Sequence, residues 1–182
     1  KIAYPSNAAD AKGLLKYACR CDDPVLFMEH KGIYRQGFAS SLEPDEDYLL
    51  PFGKARIVQE GNDLTIVTWG AIVQKAVEAS RNSNKSVEVI DIRTLNPLDM
   101  DTILNSIKKT NRVIVAHEDH LTAGFGSEIS AQISDVGFEF LDAPVKRIAS
   151  KDVHVAYSPN LENEILVQTS WIEKEIEEII NY

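Results

Sequence analysis

The sequence predicts an α/β fold: a three-layer α/β/α domain around a mainly parallel sheet, preceded by the last β-α-β unit of another domain. Three observations predict it. The runs 25–28, 64–69, 87–92 and 113–116 are close to continuously apolar, as expected of strands covered on both faces. The segments between them carry apolar residues at helical spacing. Strand-like and helix-like segments also alternate, the order in which parallel strands are joined by crossover helices.

Composition sets the limits. The 182 residues carry 28 acidic and 19 basic side chains, a formal charge of −9, with 44% hydrophobic residues. That apolar content is too high for a chain disordered throughout. The charge is opposite in sign to a broad electrostatic grip on nucleic acid. No apolar run approaches the roughly 18 residues of a membrane span. The chain begins at Lys1 inside a strand-like run, so the expectation is a piece of something longer.

Taken in order, residues 1–4 read as the end of a strand. Ser6 offers an N-cap oxygen to a helix whose apolar positions are Ala11, Leu14, Leu15 and Ala18. Pro24 ends it, because the residue before a proline is pushed out of the α region. Residues 25–28 form the next strand, parallel to the first. Residues 36–51 hold Pro44, Pro51 and the acidic Glu43, Asp45, Glu46 and Asp47, and read as a solvated interdomain linker. A strand at 55–59 turns at Glu60-Gly61-Asn62-Asp63 into the strand 64–69. Gly70 then marks a strand-to-helix turn, and Ile72, Val73, Ala76, Val77 and Ser80 line one helix face. After the strand 87–92, Asp99 caps a helix with Ile103, Leu104 and Ile107 inward and Leu98 packed against Ile103 as a staple. A buried strand at 113–116 precedes a helix opened at Gly124 and facing inward through Ile129 and Ile133. A short strand at 144–149 follows. Ile172, Ile176, Ile179 and Ile180 give the last helix its apolar stripe, with glutamates at 173, 175, 177 and 178.

The most reactive cluster is His117-Glu118-Asp119-His120. Its histidines are three apart at a strand end, not four apart on a helix, so they lack the zincin geometry. Open α/β sheets do place ligands beyond the carboxyl ends of their strands, which puts His117 and Glu118 near a cleft. Gly124 and Gly126 form a G-x-G before a helix, suited either to a tight turn or to an anion at the helix N-terminus. Residue 129 is isoleucine, so the dinucleotide fingerprint is incomplete. Cys19 and Cys21 are too close for an unstrained disulfide and too few for a structural zinc site, and read as reduced thiols of an intracellular protein.

Six segments in order, "PSNAADAKGLLKYACRCDDPVLFMEHKGIYR", "DYLLPFGKARIVQEGNDLTIVTWGAIV", "VEVIDIRTLNPLDMDTI", "KKTNRVIVAHE", "TAGFGSEIS" and "LDAPVKRI", carry a resemblance. The chain resembles the C-terminal part of the β subunit of thiamine-diphosphate-dependent 2-oxoacid dehydrogenases. The match to the branched-chain (2-oxoisovalerate) type is closest, through the "HE" followed by "TAGFGSEIS" and the "INY" ending; a pyruvate or acetoin dehydrogenase β subunit is the alternative.

The resemblance implies a remnant of the pyrimidine-binding domain at 1–35, a linker at 36–53 and a transketolase-like C-terminal domain at 54–182. It implies oxidative decarboxylation of a branched-chain 2-oxoacid and acyl transfer to a lipoyl acyltransferase by the full enzyme, bacterial or mitochondrial. Thiamine diphosphate and Mg²⁺ would be held outside these residues, leaving this segment with no catalytic, cofactor or metal residue of its own and inactive alone. Implied partners are an α subunit or α portion, a second β subunit and the acyltransferase's peripheral-subunit-binding domain, met at positions matching Asp142 and Tyr182. The family's monovalent-cation loop matches 18–23, but Cys21 and Asp23 depart from its pattern. A rival of another class is a non-catalytic flavodoxin-like domain that binds a small anion at 124–127.

Overall fold

The computed structural model describes residues 1–182. Two strands, β1 (Ile2–Ala3) and β2 (Leu26–Phe27), flank helix α1 (Ala8–Ala18) and pair in parallel. A long connection leads to β3 (Arg56–Gln59), β4 (Leu64–Thr68), α2 (Ile72–Asn82) and β5 (Val87–Asp91). Then come β6 (Thr94–Asn96), α3 (Met100–Thr110), β7 (Val113–His120), α4 (Phe125–Val136), β8 (Lys146–Ser150), α5 (Pro159–Ile165) and α6 (Thr169–Ile180).

The main sheet has the order β3-β5-β4-β7-β8, parallel except for the antiparallel edge strand β3. Every residue of β4 and β5 is buried. Their alternation divides the core in two. Leu64, Ile66, Val87, Val89, Ile114 and Ala116 face α2 and α6, whose Ile72, Ala76, Ile172, Ile176 and Ile179 complete one cluster. Val67, Trp69, Ile90, Val113 and Val115 face α3 and α4, meeting Ile103, Ile107, Ile129 and Ile133. This is the expected three-layer arrangement, with both faces of a largely parallel sheet covered. No helix is long and apolar enough to cross a membrane.

Local signals account for most boundaries. Asp99 caps α3, its Oδ1 accepting from Thr102 N at 3.2 Å. The cap of α1 is Asn7, whose Oδ1 accepts from Asp10 N at 3.0 Å. Ser6, expected there, is drawn off: its Oγ donates to the buried Asp91 Oδ2 at 2.5 Å. The expectation that 25–28 is covered on both faces is also corrected. Within this chain Leu26 is 56% and Met28 38% exposed, on β2, the outer strand of a three-stranded sheet, β2-β1-β6.

Residues 36–53 are less solvated than their charge suggested. Lys12 Nζ donates to Glu43 at 3.0 Å and to Pro44 O at 2.7 Å, and Leu50 N donates to Gly13 O at 3.2 Å. Leu50 and Phe52 are buried with Ala3 and Leu14 in a small separate core. A Cβ at Gly13 would lie 2.6 Å from the Tyr48 ring, so glycine is what lets this segment lie down on α1.

Candidate functional site at the carboxyl ends of the central strands

Strand β4 is followed by α2, which leads outward to β5 across one face, and β7 by α4, which leads to β8 across the other. The connections therefore diverge between β4 and β7, and such a divergence opens a crevice beyond the strand ends. A cavity of about 350 Å³ lies there, walled by Trp69 and Ala71 after β4, Glu118 and Asp119 of β7, Phe125 at the start of α4, and Tyr4, Leu26 and Met28 from the three-stranded sheet. Its character is apolar and aromatic, with carboxylates as its charged groups.

Glu118 lies on the cavity wall. His117 does not. The register Thr68↔Ala116 sets Trp69 beside His117 on the same face of the sheet, and their rings stack at 5.2 Å with 6° between planes. His117 is fully buried, and neither ring nitrogen has a hydrogen-bond partner. Burial pushes its pKa down to about 4, so the imidazole is neutral. It is a core ring one layer behind the cavity, since strand alternation turns 117 toward α4 and 118 toward α2.

Gly124 and Gly126 are corrected with it. Neither lines the cavity. A Cβ on Gly126 would collide with His117 Nε2, and one on Gly124 with His120 O. These glycines let α4 close on β7, and the space an anion would need over Gly126 is filled by the histidine ring. His120 is on the surface, its Nε2 3.1 Å from Val153 O, and does not converge with His117. No group of three or more His, Cys, Asp or Glu side chains is arranged to hold a metal ion.

Two features of the site were not anticipated. One is the aromatic wall of Tyr4, Trp69 and Phe125; the position of Trp69 at the end of the most apolar strand was its available signal. The other is His30, whose Nε2 lies 2.8 Å from Glu118 Oε2. That hydrogen bond is the largest influence on both groups, raising the His30 pKa and lowering that of Glu118. It joins residues 88 positions apart that meet only in the fold, and no local pattern encodes it.

Asp142 and Tyr182, far apart in sequence, share one surface groove of about 560 Å³ with Ser130, Ser134, Phe138 and Leu141. Phe138 is 76% and Tyr182 74% exposed. Asp142 sits 3.6 Å from Arg112 and remains largely open to solvent.

The junction between the two sheets is polar and buried. Arg93 donates to Asp10 through Nε at 3.0 Å and pairs through Nη2 at 2.9 Å. Arg56 lies 3.7 Å from both Asp10 and Asp91. Asp91 is fully buried, and burial raises its pKa to about 6 against the pull of Ser6 and Arg56.

Comparison with known proteins adds the following. The family described as "Transketolase, C-terminal domain" matches residues 53–172. The chain is 44% identical over 173 residues to the mitochondrial pyruvate dehydrogenase E1 component subunit beta of Dictyostelium discoideum, covering 93% of this chain and 49% of that protein. It is 40% identical to the 2-oxoisovalerate dehydrogenase subunit beta of Bacillus subtilis (strain 168), covering 100% of this chain and 56% of that one. The chain thus spans about half the length of these relatives. A solved structure titled "Split gene transketolase, inactive beta4 tetramer" superposes with a TM-score of 0.77 over 99% of this chain and 57% of its own, at 21% identity, which supports the fold. With most of the five-stranded domain inside the matched residues, the chain belongs to the transketolase C-terminal domain family.

Proposed function

We propose that this chain is the C-terminal part of the β subunit of a 2-oxoacid dehydrogenase decarboxylating component, of branched-chain type, and that it serves assembly and docking there. The observation that carries the docking role is the groove shared by Asp142, Tyr182 and the exposed Phe138. An exposed aromatic beside a carboxylate suits a small basic module: the ring supplies apolar area and the carboxylate accepts charge-assisted hydrogen bonds. The partner is the peripheral-subunit-binding domain of the lipoyl acyltransferase. The net charge of −9 favours its approach. An α subunit and a second β subunit complete the intracellular assembly.

Thiamine diphosphate and Mg²⁺ are proposed to bind outside residues 1–182. The 350 Å³ cavity does not fit the cofactor's diphosphate, because its charged lining groups are Glu118 and Asp119, with no lysine or arginine among them. No step of decarboxylation is routed through this segment. Relatives at 44% and 40% identity carry the pyruvate and the 2-oxoisovalerate names respectively, and the "HE…TAGFGSEIS" and "INY" motifs support the second.

The test is a substrate panel. The intact protein, assembled with its α partner, thiamine diphosphate and Mg²⁺, is assayed for CO₂ release from 3-methyl-2-oxobutanoate and pyruvate and for acetaldehyde release from acetoin. The branched substrate should give the highest kcat/KM, with no release in the absence of the α partner. Preference for pyruvate or acetoin would overturn the branched-chain assignment, and turnover by the β chain alone would overturn the assembly role.

A further inference from the structure

Residues 29–40 leave β2 and run outside both sheets. Met28 N donates to Ala3 O at 2.8 Å just before them, and Ala9 N donates to Ser41 Oγ at 2.7 Å just after. In between, hydrogen bonds stay within the segment. Tyr34 Oη donates to Glu29 at 2.8 Å, and the backbone closes 3₁₀ turns at Lys31–Ile33 and Gly37–Ala39. The exception is His30 Nε2, 2.8 Å from Glu118 Oε2 on β7. Side chains along the segment are exposed apart from those of His30, Ile33 and Ala39.

We propose that residues 29–40 form a strap fastened to β7 by protonated His30 and the Glu118 carboxylate, and that loss of the His30 proton unfastens it. The ring is held for this contact alone: its Nδ1 is buried without a partner, and a Cβ on Gly32 would come 2.9 Å from its Cε1. Each member of the pair also lines a different cavity. Glu118 lines the 350 Å³ crevice, and His30 lines a second space of about 200 Å³ bounded by Pro5, Ile33 and Ala39.

The surrounding charges set the direction of the switch. Glu118 raises the His30 pKa, Lys75 of α2 opposes that weakly, and Tyr4 just after β1, its own pKa raised by burial and by Glu118, stays a neutral phenol. A raised histidine pKa means the fastening is complete below the ordinary value and is lost as pH rises through the folded one. The lowered pKa of Glu118 means its share is lost only in acid. The strap therefore loosens on the alkaline side.

Chymotrypsin reads this directly, because Tyr34 and Phe38 are exposed at 62% and 47%. Cleavage of the intact protein after these residues is compared with cleavage of a free peptide of the same sequence in the same buffer, at about pH 6 and about pH 8.5. The ratio should rise roughly threefold at the higher pH, the scale of a partly exposed ion pair. Glu118→Gln should be cut at the faster relative rate at both pH values, and His30→Arg, cationic throughout, at the slower one. A wild-type ratio independent of pH, or Glu118→Gln protected like wild type near pH 6, would overturn the proposal.

Discussion

The five-stranded sheet and the three-stranded sheet are secured by opposite means. In the first, β4, β5 and β7 bury branched aliphatic side chains on both faces, and four helices close over them. In the second, β1 and β2 are two residues each, Leu26 and Met28 are exposed, and the attachment to the five-stranded part runs through the short β1–β6 pairing and through Asp10, Arg93, Arg56 and Asp91. A dry core stabilises in proportion to the apolar area it removes from water. A buried ion cluster contributes little net stability but makes its own disruption costly, because any survivor is left charged and unpaired. The contrast indicates that the junction sets how the two parts are oriented, while the larger sheet supplies most of the stability.

Breaking the junction should have the largest effect. Asp10→Ala leaves Arg93 and Arg56 without their shared carboxylate, and should cost about 3–5 kcal/mol in denaturant unfolding. Loss of α1 helicity with the main transition intact would sharpen the comparison, by showing that the smaller part detaches first. A loss below about 1 kcal/mol would mean the cluster is solvated and does not hold the junction. Next in size is an overpacking change in the dry part. Gly126→Ala forces its methyl against His117, which Trp69 holds by stacking, and should cost about 1–3 kcal/mol in the global transition. Relief of that loss by a smaller residue at 117 would confirm the contact as its source.

The same contrast explains what the sequence made legible. Ile72, Val73, Ala76 and Val77, and the isoleucines of α6, announce their faces by spacing alone, because one-sided burial imposes a period. Asp99 and its staple partner Leu98 mark the start of α3 by local chemistry, and the structure agrees. Glu118 was placed near a cleft by its position at a strand end. What local pattern could not carry was anything settled between distant segments. Ser6 lost its capping role to Asp91 across 85 positions. Three-residue β6 joined the sheet of β1 and β2 instead of the five-stranded one. His117 looked reactive by composition, yet the register of β4 against β7 buried it under Trp69. The helix α5 has no buried residue and hence no apolar stripe to betray it.

Asp142 and Tyr182 were paired by resemblance, and their shared groove is the geometry on which the docking role depends. Its most direct test is calorimetric titration of the intact protein with the acyltransferase's peripheral-subunit-binding domain. The account predicts specific binding that weakens as salt is added, and a Kd roughly tenfold weaker for Asp142→Ala, about 1.4 kcal/mol. Binding with the same Kd in the variant and no dependence on salt would contradict it.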